Sequence, residues 1–310
     1  MPTLQGAFFS AYEGVMDESW TLPIVRKYTD IGEFMKLVDL GTVGAVRQFV
    51  GPRQVTSPKV YTLTQQNLPF ELSMEIDIED VNRDHLGMWE TKAQEIGEKF
   101  ADHINKLVIA QTIANPVCFD GANFFSTTHP LSPGVVQIND LSATQVPALA
   151  AATAAAPTAV EMSNIIAGII GYQFTMLDEA GDAINGLARK FMVATSNPAV
   201  WESALSAIRA QQLSQGQTNP LWAGLLKNGY EVNAIIDPRL GAANSAVFYF
   251  YRTDSVVKSY AWGEEVPMHL QYLGEGSDTA VKQNKYFWGG KAVRSVGVGR
   301  YQHSFRCTLS

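Results

Sequence analysis

A chain of 310 residues is long enough for two cores, since domains commonly hold about 100 to 200 residues. Its net charge of -7 excludes the basic footprint that drives binding to a phosphate backbone. Charged residues make up 17% of the chain, against roughly 25% in an average soluble domain, which points to surface hidden in contacts between copies.

Only Cys118 and Cys307 are present, far apart and outside any Cys-x-x-Cys spacing, so neither a disulfide framework nor a zinc site is expected and a reducing compartment fits. The N-terminus has no basic head before an apolar stretch, and no apolar run approaches the roughly 18 residues that span a bilayer. Synthesis in the cytosol is therefore expected, without a membrane partner.

Residues 1 to 42 mix short apolar clusters with charges and read as an arm with short helical pieces. From Val43 the signal turns to β, with VGAVRQFV and KVYTLT as partner strands around a projecting loop, GPRQVTSP, that carries Gly51, Pro52 and Pro58. In PFELSMEIDIE, the apolar Phe70, Leu72, Met74, Ile76 and Ile78 alternate with Glu71, Ser73, Glu75, Asp77 and Glu79, so one face is apolar and the other acidic. Two readings of that acidic row stand side by side. It is a solvated face, or Glu71, Glu75 and Asp77 meet basic groups such as Arg47, Arg53 and Lys59 on a neighbouring chain.

The strongest helical pattern follows. Leu86, Trp89, Ala93, Ile96, Phe100, Ile104, Leu107 and Ile113 recur mostly at three- and four-residue steps and share one face, while Lys92, Glu95, Lys99, Asp102 and Lys106 lie off it. The pattern predicts a helix over 82–114, capped by Asp80 or Asn82 and stopped at Asn115-Pro116. Roughly thirty residues at about 1.5 Å each make a rod of about 45 Å.

CFDGANFFSTTHP, residues 118 to 130, comes next and joins a thiol, a carboxylate and an imidazole in one short stretch. Cys118 with His129 has the makings of a nucleophile and its base. Nothing nearby offers a helix N-terminus or a cationic cluster to stabilise a thiolate, however. In the alternative reading, Gly121 permits a tight bend, Asp120 and Asn123 bond backbone amides, and Phe119, Phe124 and Phe125 anchor a loop in the core.

The Ala-rich VPALAAATAAAPTAVE is broken by Pro147 and Pro157. Thr158 and Glu161 then have capping-box spacing for a helix running to about Gly171. KFMVATS reads as a buried strand, and Asn197-Pro198 opens the helix PAVWESALSAIRA. YEVNAIID, SAVFYFYRT and VVKSYAW are β-rich, and GGKAVRSVGVGRYQHSF reads as one long closing strand. No phosphate-binding loop, H-E-x-x-H or G-x-S-x-G pattern occurs, and the five histidines never fall at metal-ligand spacing.

Four motifs in order carry a resemblance: Gly51-Pro-Arg53, FELSMEIDIED, Asp84-His-Leu-Gly-Met-Trp89 and CFDGANFFSTTHP. Together they are similar to the pattern of the Mu-like prophage major head subunit family, densest over residues 28 to 130. Family members often carry an Asp shortly before the His-Pro, where this chain has Thr127 and Thr128.

The resemblance implies an α+β tailed-phage major capsid fold without catalysis, cofactor or metal. It implies an N-terminal arm (1–42), an extended loop (43–80), a peripheral domain (81–186 and 263–310) built on the spine helix, and an axial domain (187–262). Trp89, Ile96, Phe100, Ile104, Phe119, Phe124 and Phe125 are the expected core, and Arg47, Arg53, Lys59, Glu71, Glu75 and Asp77 the expected subunit interface. The function implied is a major capsid protein that assembles in the cytoplasm of a host bacterium into pentamers and hexamers of a virion shell. Its implied partners are transient scaffold and portal proteins, an optional cement protein, and DNA enclosed without sequence-specific contacts. A cellular nanocompartment shell of the same fold is the alternative, and a Cys-dependent hydrolase the reading from another class.

Overall fold

The computed structural model describes residues 2–29, 32–39, 61–84, 87–132, 134–178, 181–213, 218–274 and 276–310. Arg47, Arg53, Lys59, Leu86, the strand expected over 43–50 and the projecting loop lie outside them.

A helix, α1 (Pro2–Asp17), opens the chain and is followed by β1 (Val25–Thr29) and the antiparallel pair β2 (Phe34–Asp39) and β3 (Tyr61–Gln66). Next come β4 (Leu68–Asp77), a short α2 (Ile78–Arg83) and the long α3 (Met88–Ala114). The hairpin β5 (His129–Ser132) and β6 (Val135–Gln137) precedes β7 (Asp140–Leu141) and α4 (Ala159–Gln173). Then follow β8 (Lys190–Thr195), α5 (Pro198–Arg209), α6 (Pro220–Gly224), β9 (Glu231–Ile236) and β10 (Val247–Arg252). The chain closes with β11 (Tyr260–Leu273), α7 (Asp278–Gln283), β12 (Lys285–Val298) and β13 (Ser304–Thr308).

Two larger sheets organise these elements, one of four strands in the order β1-β11-β12-β4 and one of five in the order β7-β13-β10-β8-β9.

Local chemistry accounts for most helix ends. In α4, the Thr158 hydroxyl accepts from the Glu161 amide while the Glu161 carboxylate accepts from the Thr158 amide, a full capping box. Asn197 caps α5 at the Ala199 amide with Pro198 in the first turn. The long helix is shorter than the periodicity predicts, and it starts at Met88 rather than 82. Asp77 caps a separate helix, α2, and the left-handed Gly87 sits between the two, so the apolar pattern runs through a break in the backbone. At its far end Asn115, with φ of 48°, turns the chain out of the helix before Pro116.

Three further expectations change. The first part of the expected arm, 1–42, is not made of short helical pieces. It holds one 16-residue helix whose Phe8 is fully buried against Phe9, Phe100 and Trp288. The apolar-acidic strand β4 pairs with β12, not with the strand before it, which pairs instead with β2. The closing stretch is two strands in two sheets, because the chain turns at 301–303 between β12 and β13. Strands β8, β9 and β10 of the expected axial segment 187–262 therefore share their sheet with β13 and β7 from outside it.

Of the expected core residues, Ile96, Phe100, Ile104, Phe124 and Phe125 are buried, and Trp89 and Phe119 are partly buried. Ile113 is 54% exposed, because it lies in the last turn, where the helix outruns its cover. Among the described residues no helix is long and apolar enough to cross a membrane, and no group of His, Cys, Asp or Glu is placed to hold a metal.

Candidate functional site

The loop after α3 is held by hydrogen bonds within its own backbone and by the side chain of Asn115. Asn115 accepts the Phe125 amide at 2.7 Å and donates to the Phe125 carbonyl at 3.0 Å, tying the loop to the helix end. The Cys118 amide donates to the Ala122 carbonyl at 2.7 Å, Gly121 turns the bend with φ of 85°, and Asp120 accepts from the Ala122 amide at 3.1 Å. Phe124 and Phe125 meet edge to face at 4.9 Å and enter the core against Tyr260 and Tyr249.

His129 is fully buried and both ring nitrogens are committed. Nδ1 faces Asp120 Oδ2 at 2.5 Å, Nε2 faces Asn139 Oδ1 at 3.0 Å, and the ring stacks on Tyr301 at 3.6 Å. Asn139 is held in turn by donating to the Phe124 and Ser304 carbonyls and by accepting the Ser126 amide. Cys118 is buried, and its thiol points to the Gly299 carbonyl at 3.4 Å.

An imidazole clamped on both sides has no nitrogen left to draw a proton from a thiol that faces elsewhere. The Cys118–His129 pairing of a hydrolase is therefore not assembled. The sequence offered Asp120 and His129 but no signal for Asn139 or Tyr301, which arrive from 10 and 172 residues farther along the chain.

The acidic row of β4 is placed on the strand face as the alternation predicts, with Glu71 and Glu75 exposed and Asp77 half-buried. Among the described residues, two lysines of the same chain face it. Glu75 pairs with Lys285 at 3.0 Å, Lys291 stands opposite Glu71 in the β4–β12 register, and Asp77 is engaged as the cap of α2. An exposed pair of this kind contributes about 0 to 1 kcal/mol, so the row is available for other contacts at little cost.

An open cleft of about 260 Å³ lies between this strand and α3, lined by Phe70, Leu72, Phe100 and His103 with Lys99 and Lys106 at its rim. Burial, with the Arg294 charge next, pushes the His103 imidazole down to about 4.

Residues 33–156 match the family model of the Mu-like prophage major head subunit gpT. Over 129 residues the chain is 24% identical to the Mu-like prophage FluMu major head subunit of Haemophilus influenzae, covering 39% of this chain and 42% of that protein. Over 99 residues it is 29% identical to the major capsid protein of Escherichia phage Mu, covering 31% and 32% of the two. The matched stretch thus spans under half the length of either relative. The mature capsid of bacteriophage PhiM1 superposes with a TM-score of 0.57 at 16% identity, covering 94% of this chain and 87% of that one. Residues 33–156 are therefore similar in sequence to the Mu-like prophage major head subunit, on a chain whose fold resembles that of a bacteriophage capsid protein over 94% of its length.

Proposed function

We propose that this chain is the major capsid protein of a Mu-like tailed phage or prophage, forming the pentamers and hexamers of an icosahedral shell around DNA. The observation that carries the reading is the coincidence of a Mu-like head-subunit sequence over residues 33–156 with a capsid fold over 94% of the chain. A cellular nanocompartment shell has the same architecture, and the head-subunit sequence favours the phage reading.

Physical chemistry assigns the parts. Rigid elements must carry the packing while one sequence occupies positions of different curvature, and many weak contacts add through multivalency. The two apolar cores packed along α3 suit the first role. The acidic row Glu71, Glu75 and Asp77, with Arg47, Arg53 and Lys59, is the proposed surface toward neighbouring copies. An acidic chain confines DNA without gripping phosphates, which leaves packaging and ejection unhindered. Scaffold, portal and cement proteins are the further partners of such a shell, and its assembly takes place in the host cytoplasm.

Expression of the full chain, alone and beside a scaffolding protein, followed by sedimentation and negative-stain microscopy, tests the reading. Closed particles of uniform diameter are expected. A chain that stays monomeric in both arms overturns it.

A further inference from the structure

Two separate apolar cores meet the same helix. Leu4, Phe8, Ala93, Ile96, Phe100, Trp288 and Ala292 form one, while Ile24, Val25, Ile104, Val108, Trp262, Val296 and Val298 belong to the other. The changeover falls at one level in each element that crosses it. On α3 it lies between Phe100 and Ile104, on β12 between Ala292 and Val296, and on β11 between Trp262 and Met268, which packs against the first core.

That level is filled with charge and hydrogen bonds. Lys27 pairs with the buried Glu264 at 2.5 Å, and Glu264 stands opposite Arg294 in the β11–β12 register. Arg294, fully buried, donates to the Phe100 carbonyl at 2.8 Å and to His103 Nδ1 at 3.1 Å.

Across the helix, Arg239 holds Asp102 with two bonds, at 2.6 and 3.0 Å, and grips Asp237 as well. Asp237 in turn accepts from the Trp20 indole at 3.3 Å. Asn105 accepts the hydroxyls of Ser19 and Thr21 at 2.6 and 2.7 Å. At the same level β11 loses register twice, between Glu264 and Val266 and between Val266 and His269, around Pro267.

Apolar packing resists sliding because every displaced contact opens a void. A layer of polar pairs between two such cores, crossed by a strand that already carries bulges, is where the chain bends at least cost. We propose that this polar layer is a joint. The lobe made of α1, the first turns of α3, β4, α7 and the far halves of β11 and β12 turns on it as a unit, and the Arg239 clamp on Asp102 and Asp237 sets the angle. In a shell, the use of this joint rests on the capsid reading: one chain reaches several curvatures by changing one angle, with both cores intact.

Hydrogen exchange on the full, unassembled chain tests the joint independently of assembly. In Arg239→Met, amides of 237–241 and 264–269 should exchange about tenfold faster, roughly the loss of one charge-assisted hydrogen bond, while 93–100 and 190–195 keep wild-type protection. Unchanged exchange at the polar layer, or equal loss in both lobes, overturns the proposal. Should Arg239→Met fail to fold, Asp102→Asn, which keeps the shape and removes one charge, is read by the same criteria. If wild-type chain forms shells, Arg239→Met shells should broaden in diameter. Shells of wild-type uniformity would show that the clamp does not set curvature, whereas a wild type that forms none counts against the capsid reading and leaves the exchange result to judge the joint.

Discussion

The backbone carbonyl of Phe8 lies where a Cβ on Gly97 would have to stand. Helix α1 crosses α3 at this glycine, and the close approach lets the Phe8 ring reach Phe100 and Trp288. The N-terminal segment is therefore held by shape, not only by hydrophobicity.

Gly97→Ala should lift α1 from α3 and destabilise the chain by about 1 to 3 kcal/mol, the usual cost of overpacking. Limited proteolysis between residues 17 and 22 reports the detachment. Wild-type resistance to cleavage would show that the crossing adjusts without loss.

Phe100→Ala removes a ring that is only 4% exposed and touches α1 and β12. A loss of about 3 to 5 kcal/mol is expected. Urea unfolding measures it, and a midpoint equal to wild type would mean that the ring contributes no packing.

Acid should weaken the chain in two steps. Burial and the Arg294 charge lower His103 from 6.5 to about 4, and burial lowers His303 to about 3. The unfolded chain thus binds more protons across that range, and stability present above 6.5 is lost as pH falls toward these values. Burial raises the Asp102 and Asp237 carboxyls, but Arg239 outweighs it and holds both below their ordinary values. Their contribution is present above about pH 4 and disappears below it. Urea midpoints at pH 7.5, 5 and 3 give the profile. His103→Gln should flatten the first step in part, since His303 remains, and Arg239→Met should flatten the second. Profiles identical to wild type would remove both assignments.

Reversing Glu71 and Glu75 to Lys should leave the subunit folded, because the own-chain pair with Lys285 is exposed on both sides. Shell yield should fall if the row meets a neighbour's cations. Normal yield and particle form would return the row to a solvated face with an internal counterion.

Cys118 and Cys307 should resist thiol reagents in the folded chain and react only on unfolding, since both are buried and burial pushes the Cys307 thiol far up. Rapid labelling of native protein near neutral pH would reopen the case for a reactive thiol.

Local order was legible in the residues themselves. The capping box at Thr158 and Glu161, the Asn197-Pro198 start, the stop at Asn115 and the alternation along β4 all depend on neighbours within a few positions, so spacing alone determines them. The bend at Gly121 and its phenylalanine anchors belong to the same class. Only the tertiary structure decided which partner each face meets. Alternation assigns β4 an apolar side but not β12, whose residues lie more than 200 positions away, and many strands of similar pattern compete for that edge. Asn139 and Tyr301 around His129, and Arg239 across from Asp102, are equally unmarked, because a buried hydrogen bond needs only a group of the right shape, brought close by the rest of the fold.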